Sequence, residues 1–461
     1  MTRVRTSAAV VAGKAAGAAT RMLRRGGGTA LPGLVAERVD PRLVANLGRT
    51  LGRGRVMVTG TNGKTTTSRI IAAAFDAAGV PYVHNREGSN LMRGMASTLL
   101  SHATLAGAIP GAKNAAGLFE ADEATMPAAV AALQPHVIAF TNLFRDQLDR
   151  YGEVDTVMAL WKRALSAAPR DATLVLNADD PSVAELAIGW SGPVHWFGID
   201  DATFASEAAG ASDARWCPCG GDYRYERRYF AHVGWWRCAN CDRARPDPAT
   251  SARAIELNLD RASFDVDGLG RVETPLTGLY NVSNALAAIA ACRSFGLQSE
   301  AISEGLRAVR PAFGRQEVVN LEGRSLRLFL AKNPAGANQV LLLLRELSRR
   351  RGPLKVALLL NDRFADGQDV SWIWDVDHEL LTGAVEAWWA GGDRAEDLAV
   401  RLKYAGWPPP ALVDHTPEAL LDAILRGTAP GEDVFVIPTY TAMLDLRQEL
   451  FERHAVAGAM E

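Results

Sequence analysis

The sequence predicts an α/β protein: a central, mostly parallel, helix-covered sheet with a small inserted cysteine module, followed by a second α/β domain. Three observations predict it. Between Val56 and Phe197 short β runs alternate with helical periodicity, the pattern that parallel strands need for their crossovers. From about 201 to 250 the composition shifts to Cys, Trp, Tyr, Arg and Gly and the helical period is lost. After Gly314-Arg315 the alternation resumes, with β runs at 326–330, 355–360 and 434–438. The expected division is a helical segment over 1–50, a central domain over 51–314 carrying the insertion, and a C-terminal α/β domain over 315–461.

Composition bounds the function classes. The 461 residues are 48% hydrophobic, enough for several cores, and about three domains fit a size of roughly 150 residues each. With 50 Lys+Arg against 52 Asp+Glu the net charge is −2, which removes a global electrostatic case for nucleic acid or an anionic membrane as partner. No apolar run reaches the 18 or so residues of a membrane span, so a soluble, cytoplasmic protein is expected. Five cysteines, four of them in two tight pairs, point to a reducing compartment and a metal rather than disulfides.

Along the chain, residues 1–25 hold Arg3, Arg5, Lys14, Arg21, Arg24 and Arg25 with no acid. They read either as an Ala-rich helix with a solvated basic face or as a peripheral contact with a membrane surface. The β run Val56-Met57-Val58 enters a Gly/Thr turn and then a helix over 68–78, closed by Gly79. Further strands are expected at 137–141, 174–177 and 194–197, and helices at 126–133 and 156–167.

The turn is Thr59-Gly60-Thr61-Asn62-Gly63-Lys64-Thr65-Thr66-Thr67. Strand, loop and helix in that order is the context in which a glycine-rich loop holds phosphate. Glycines let backbone N–H groups close on phosphate oxygens, the helix N-terminus adds partial positive charge, Lys64 supplies a point charge, and Thr65 can ligate magnesium. Position 58 is Val where the longer form of such a loop has Gly, so this is a shortened variant.

This loop resembles the nucleotide loop of the Mur ligase superfamily, ATP-dependent ligases that make amide bonds through an acyl phosphate. The resemblance continues in family order. Glu120, in Phe119-Glu120-Ala121-Asp122-Glu123, stands where the family has a magnesium-binding glutamate. The segment 141–149 resembles one that normally carries a metal-binding histidine, here replaced by Gln147. Lys162, fifteen residues on, has the spacing of the family's carbamylated lysine, or is a solvated helix lysine. Asn177 and Asp179 in Asn177-Ala178-Asp179-Asp180-Pro181, with Asn281 and Asn284, match segments that hold adenine and ribose. Arg315 matches an arginine that reaches phosphate from the domain junction. By the resemblance Gly60, Thr61, Asn62, Gly63, Lys64, Thr65 and Thr66 bind ATP, and Thr65 and Glu120 bind Mg2+.

Cys217-Pro-Cys219 and Cys238-Ala-Asn-Cys241, with 18 residues between the pairs, look like the two knuckles of a zinc ribbon. Four thiolates can close a tetrahedral structural zinc site. Tyr223, Tyr225, Tyr229, Trp235 and Trp236 lie among them and are expected to form the module's small core.

A ribbon in this place, together with the C-terminal segment 360–375 and Thr439-Tyr440-Thr441-Ala442-Met443, resembles the synthetase subunits of lipid II isoglutaminyl synthase. The resemblance implies amidation of the α-carboxyl of D-glutamate in lipid II at the inner face of the membrane. ATP activates the carboxylate and ammonia attacks it. Cys292 lies in an apolar helix and reads as a structural thiol, so ammonia is expected from a separate GatD-type glutaminase in a heterodimer. In that family the synthetase lends an aspartate to the partner's Cys-His pair, and Asp369 and Asp375 are both candidates. The tryptophans Trp372, Trp374, Trp388 and Trp389 are either interface or core. Two rival readings are a folylpolyglutamate-type amino acid ligase and a nucleotide-binding scaffold without chemistry. Gln147 and Lys332, the latter in Ala331-Lys332-Asn333-Pro334, depart from the first, and intact Lys64, Thr65 and Glu120 argue against the second.

Overall fold

The structure, a computed structural model, describes residues 2–22, 31–85, 89–145, 154–205, 213–214, 216–311 and 315–456. Eleven strands precede the C-terminal domain: β1 (Gly54–Thr59), β2 (Tyr82–His84), β3 (Ala116–Glu120), β4 (Val137–Phe140), β5 (Thr173–Asn177), β6 (Val194–Ile199), β7 (Tyr223–Phe230), β8 (Val233–Cys238), β9 (Thr250–Leu257), β10 (Ala262–Val266) and β11 (Gly270–Thr274). Nine of them form one sheet in the order β11-β10-β9-β6-β5-β4-β1-β3-β2, and β7-β8 form a separate hairpin. Pairing is parallel from β2 to β9 and antiparallel only at the β9-β10-β11 end. All six residues of β1 are buried, as expected of a strand covered on both faces. Val56 and Val58 face one core, shared with the helices Lys64–Ala77 and Leu279–Phe295. Met57 faces the other, shared with the helices Met92–His102, Met126–Leu133 and Val154–Ser166.

The N-terminal helix Thr2–Met22 belongs to this second core. Ala9 and Val10 are fully buried, and the Thr6 hydroxyl bonds Asp40. One face is thus packed, while Arg5 on the helix is exposed, in keeping with an Ala-rich helix that has a solvated basic face. The helix after the phosphate loop begins at Lys64, four residues earlier than expected. A run of β-branched Thr65-Thr66-Thr67 lowers helix propensity, but all three are buried against neighbouring elements, and tertiary packing decides.

The C-terminal sheet comprises β12 (Arg315–Leu321), β13 (Arg324–Phe329), β14 (Leu354–Leu359), β15 (Val385–Gly391), β16 (Leu412–Val413) and β17 (Asp433–Pro438), ordered β12-β13-β17-β14-β15-β16. Trp388 and Trp389 point to opposite faces and are both buried core residues, whereas Trp374 is exposed. Among the described residues no helix is long and apolar enough to cross a membrane.

Candidate nucleotide and metal sites

The loop after β1 lies where the C-terminal ends of β1, β3, β4 and β5 converge, the usual ligand edge of a parallel sheet. Gly60 has φ +135° and Gly63 φ +87°. Side chains are excluded at both by space as well as by conformation: a Cβ would lie 2.0 Å from Thr141 Oγ1 and 2.0 Å from Asn284 Oδ1, respectively. Neighbours fix the loop's outline. Asn142 Oδ1 accepts from Asn62 N at 2.9 Å, Thr141 Oγ1 donates to Asn62 O at 2.7 Å, and Thr61 Oγ1 donates to Phe144 O at 3.1 Å.

Lys64 is buried and donates to Gly60 O, to Thr61 O at 3.2 Å and to Glu123 Oε1 at 3.0 Å. Burial opposes its charge, but Glu123, Asp122 and Glu120 outweigh burial and hold its pKa above the ordinary lysine value. Thr65 Oγ1 donates to Glu120 Oε1 at 3.1 Å. Two adjacent oxygen ligands on an octahedral magnesium ion at about 2.1 Å would be about 3.0 Å apart, so this donor pair fits that metal. Asn85 clamps the Glu120 backbone, accepting from its N–H and donating to its C=O, both at 2.8 Å. Glu123 and Asn85 were not singled out from sequence. Glu123 had a signal, standing three residues after Glu120 in the same acidic turn, whereas Asn85 had none.

The expected adenine and ribose segments divide in two. Asn284 backs the loop at Gly63, donating to Asn281 Oδ1 at 3.1 Å, while Asn281 donates to Thr277 O at 2.9 Å. Asn177 donates to Thr141 O at 2.9 Å and accepts from Asp179 N. Asp179 is fully buried and both its oxygens are committed: Oδ1 to Arg245 Nε at 2.6 Å and Oδ2 to Ile199 N at 2.7 Å. In the structure Asp179 anchors the cysteine module to β6. Gly198 adjoins this pair, where a Cβ would be 2.7 Å from both Asp179 Oδ1 and Arg245 Nη2. Lys162 forms an ion pair with Glu185 at 2.5 Å on the surface. Gln147 and the side chain of Arg315 lie outside the described residues; Arg315 itself opens β12, opposite Phe329.

The C-terminal domain reaches the same loop. Asn333 caps the helix Pro334–Arg351 by accepting from Gly336 N at 2.8 Å, and its Nδ2 donates to Asn62 Oδ1 at 3.1 Å. Asp375 lies 3.8 Å from Arg145 Nη2, a residue of the central domain. Asp369 is exposed and accepts from Ser371 N at 2.8 Å, and the Ser371 hydroxyl and N–H keep its carboxyl below the usual range.

The sulfurs of Cys217, Cys219, Cys238 and Cys241 lie within 4.8 Å of one another, with Cys217–Cys241 at 3.7 Å and Cys219–Cys238 at 3.4 Å. Four thiolates on zinc at about 2.3 Å would stand about 3.8 Å apart, so the cluster fits that ion despite its one-residue first spacer. Arg243 Nη1 and Asn240 N each donate to a sulfur at 3.3 Å, Cys217 and Cys238 respectively. Such donors favour thiolate. Tyr223 and Trp236, with Tyr225 against them, form the module's small core beside the sulfurs as expected, whereas Tyr229 and Trp235 pack instead into the core of the main sheet, a correction to the expectation for those two.

Comparison with known proteins matches this architecture. A Mur ligase middle domain model matches residues 58–215, and a MurT ligase C-terminal model matches 330–443. The lipid II isoglutaminyl synthase (glutamine-hydrolyzing) subunit MurT of Streptococcus pneumoniae is 34% identical over 95% of both chains. The protein of the same name from Staphylococcus aureus strain COL is 31% identical over 92% of this chain and 93% of its own. Among solved structures, a pseudomurein peptide ligase type C from Methanothermus fervidus superposes with TM-score 0.66 at 20% identity, covering 88% of this chain and 79% of that one. Folylpolyglutamate synthase of Mycobacterium tuberculosis shares the fold at TM-score 0.60 and 14% identity, covering 89% and 95%. The two structural relatives speak to fold alone, but with a third of positions identical to a curated subunit over nearly its full length, the chain belongs to the MurT family of the ATP-dependent Mur ligases.

Proposed function

We propose that this chain is the synthetase subunit of a lipid II isoglutaminyl synthase, amidating the α-carboxyl of D-glutamate in the lipid II stem peptide. The observation that carries the reading is the buried Lys64–Glu123 and Thr65–Glu120 arrangement at a glycine loop, in a chain whose full-length relatives bear that name. A carboxylate oxygen of the substrate attacks the γ-phosphorus of ATP, the bond to the bridging oxygen breaks, and ADP leaves. Ammonia then adds to the carbonyl carbon of the acyl phosphate, phosphate departs with the C–O electrons, and the nitrogen loses a proton. Lys64 and the N–H groups of the loop hold phosphate oxygens and neutralise the charge that is transferred. Thr65 and Glu120 would hold magnesium, which adds charge neutralisation between the phosphates.

Ammonia comes from a partner of the GatD glutaminase type. Cys292 is fully buried and its thiol is pushed up to about 12, and the remaining four cysteines are gathered in one cluster, so this chain offers no thiolate nucleophile. Asp369, exposed and ionised, is the better candidate to orient a partner's imidazole; Asp375 faces Arg145 of its own central domain. The exposed Phe364, Trp374 and Tyr404 supply aromatic surface to such a partner. On this reading the enzyme acts on lipid II at the inner face of the membrane. The test is mass spectrometry of lipid II incubated with this protein, Mg·ATP and ammonium, with and without the glutaminase. A decrease of about one mass unit, hydroxyl replaced by amide, is expected with ammonium alone. An unchanged mass with either nitrogen source would overturn the reading.

A further inference from the structure

The geometry points to a second role for the cysteine module: it positions the nucleotide site, and His232 at the tip of its hairpin is the positioning residue. This rests on the proposed nucleotide reading of the glycine loop. The β7-β8 hairpin is held at its base by the cysteine cluster and turns at Ala231-His232, with Ala231 at φ +45°. Its inner side is bonded to the segment following β5. Trp236 Nε1 donates to Ala178 O at 2.9 Å, Gly234 N donates to Asp179 O at 2.9 Å, and Arg245 pairs with Asp179.

His232 is completely buried, stacked obliquely on Phe144 at 4.7 Å, with Nε2 3.4 Å from Asp180 Oδ2. That same Oδ2 accepts from Leu143 N at 2.8 Å, and the next residue's N–H donates to Thr61 Oγ1 at 2.9 Å. A path thus runs from the hairpin tip, where the imidazole packs on Phe144 and stands 3.4 Å from Asp180, through the Asp180–Leu143 and Phe144–Thr61 hydrogen bonds to the phosphate loop. Neither imidazole nitrogen meets a partner at full hydrogen-bond geometry. Packing alone would favour an apolar side chain there, because a buried polar group without partners is costly. An imidazole at this spot makes sense as a brace for the Asp180 carboxylate, which in turn fixes the loop after β4 against Thr61.

The experiment measures Mg·ADP affinity by calorimetry on the full-length, zinc-loaded protein, with zinc content and thermal melting as parallel readouts. His232→Ala, which removes the ring packed on Phe144 and beside the Asp180 carboxylate, should weaken Mg·ADP by about tenfold, with zinc content unchanged. Trp236→Phe keeps an aromatic, though smaller, side chain and removes the indole donor, and should weaken it by about threefold with zinc content unchanged. Arg224→Ala, on the outer side of the hairpin, should leave affinity unaltered. If His232→Ala does not fold, Trp236→Phe decides. Wild-type binding with both variants within twofold of it would overturn the positioning role alone. A wild-type protein that binds no adenine nucleotide would overturn the nucleotide reading, and this role with it.

Discussion

The ammonium of Lys64 has water largely excluded and is held by two loop carbonyls and the Glu123 carboxylate. Removing one member of a buried pair leaves the other charge uncompensated, at about 3–5 kcal/mol. Lys64→Ala should lose stability of that order in urea unfolding and lose ammonia-dependent turnover by at least about 100-fold. Lys64→Met combined with Glu123→Gln should recover most of the stability and none of the turnover. Equal stability of the single and double variants would contradict the buried-charge account. A second residue-scale effect lies in the C-terminal domain, where burial, with Arg401 adding and Glu379 opposing, depresses the His378 pKa to about 3. Unfolded His titrates near 6.5, so between those values the unfolded chain binds more protons and stability falls as pH falls. The loss reaches about 2 kcal/mol at pH 5 relative to pH 7. Melting of the His378→Gln variant should be correspondingly flatter over pH 7 to 5.

At the scale of elements, what local pattern encodes was legible and what distant pairing encodes was not. Strand β4 and the helix Met126–Leu133 came out nearly as expected because their apolar periodicity is strong and tertiary contacts agree with it. The glycine loop was legible because its residue types have few other uses in that context. The anchoring contact of Asp179 was not legible because its partner Arg245 lies 66 residues away, across the insertion, and no local signal announces an anchor. The cysteine hairpin is the element most dependent on a single feature. It has only two strands, and an isolated hairpin is marginal in water. A metal at its base would close it. Wild-type protein should contain about one zinc per chain by elemental analysis, and Cys217→Ser with Cys241→Ser should abolish the zinc and lower the melting temperature by several degrees. Absence of metal from the wild type together with an unshifted melting temperature would remove the zinc assignment.

For the whole molecule, the proposed chemistry requires that the C-terminal domain meet the glycine loop proposed to hold the transferring phosphoryl group. Asn333 makes the meeting specific, because one side chain does two things: its Oδ1 caps the helix Pro334–Arg351 and its Nδ2 bonds Asn62 in the loop. The sequence placed this residue beside the substituted Lys332 but gave no reason to weigh it, since a contact between positions 271 residues apart leaves no local trace. Asn333→Ala removes the cap and both bonds to Asn62, one donated by Asn333 Nδ2 and one accepted by its Oδ1. The cap costs about 1 kcal/mol of stability, and the loss of the contact should lower ammonia-dependent amidation by about tenfold or more, with Mg·ADP affinity within about threefold of wild type. Asn333→Asp isolates the Nδ2 bond, because a carboxylate still accepts from Gly336 N and from Asn62 Nδ2, which stands 3.4 Å from Asn333 Oδ1, but has no proton to give Asn62 Oδ1. Reduced turnover in Asn333→Asp at near wild-type melting temperature would assign the defect to the bridge between domains. Full turnover in that variant would show that the Nδ2 bond is dispensable, leaving the cap and the Asn62 Nδ2 contact, and Arg145 with Asp375 is the next contact between the domains to substitute.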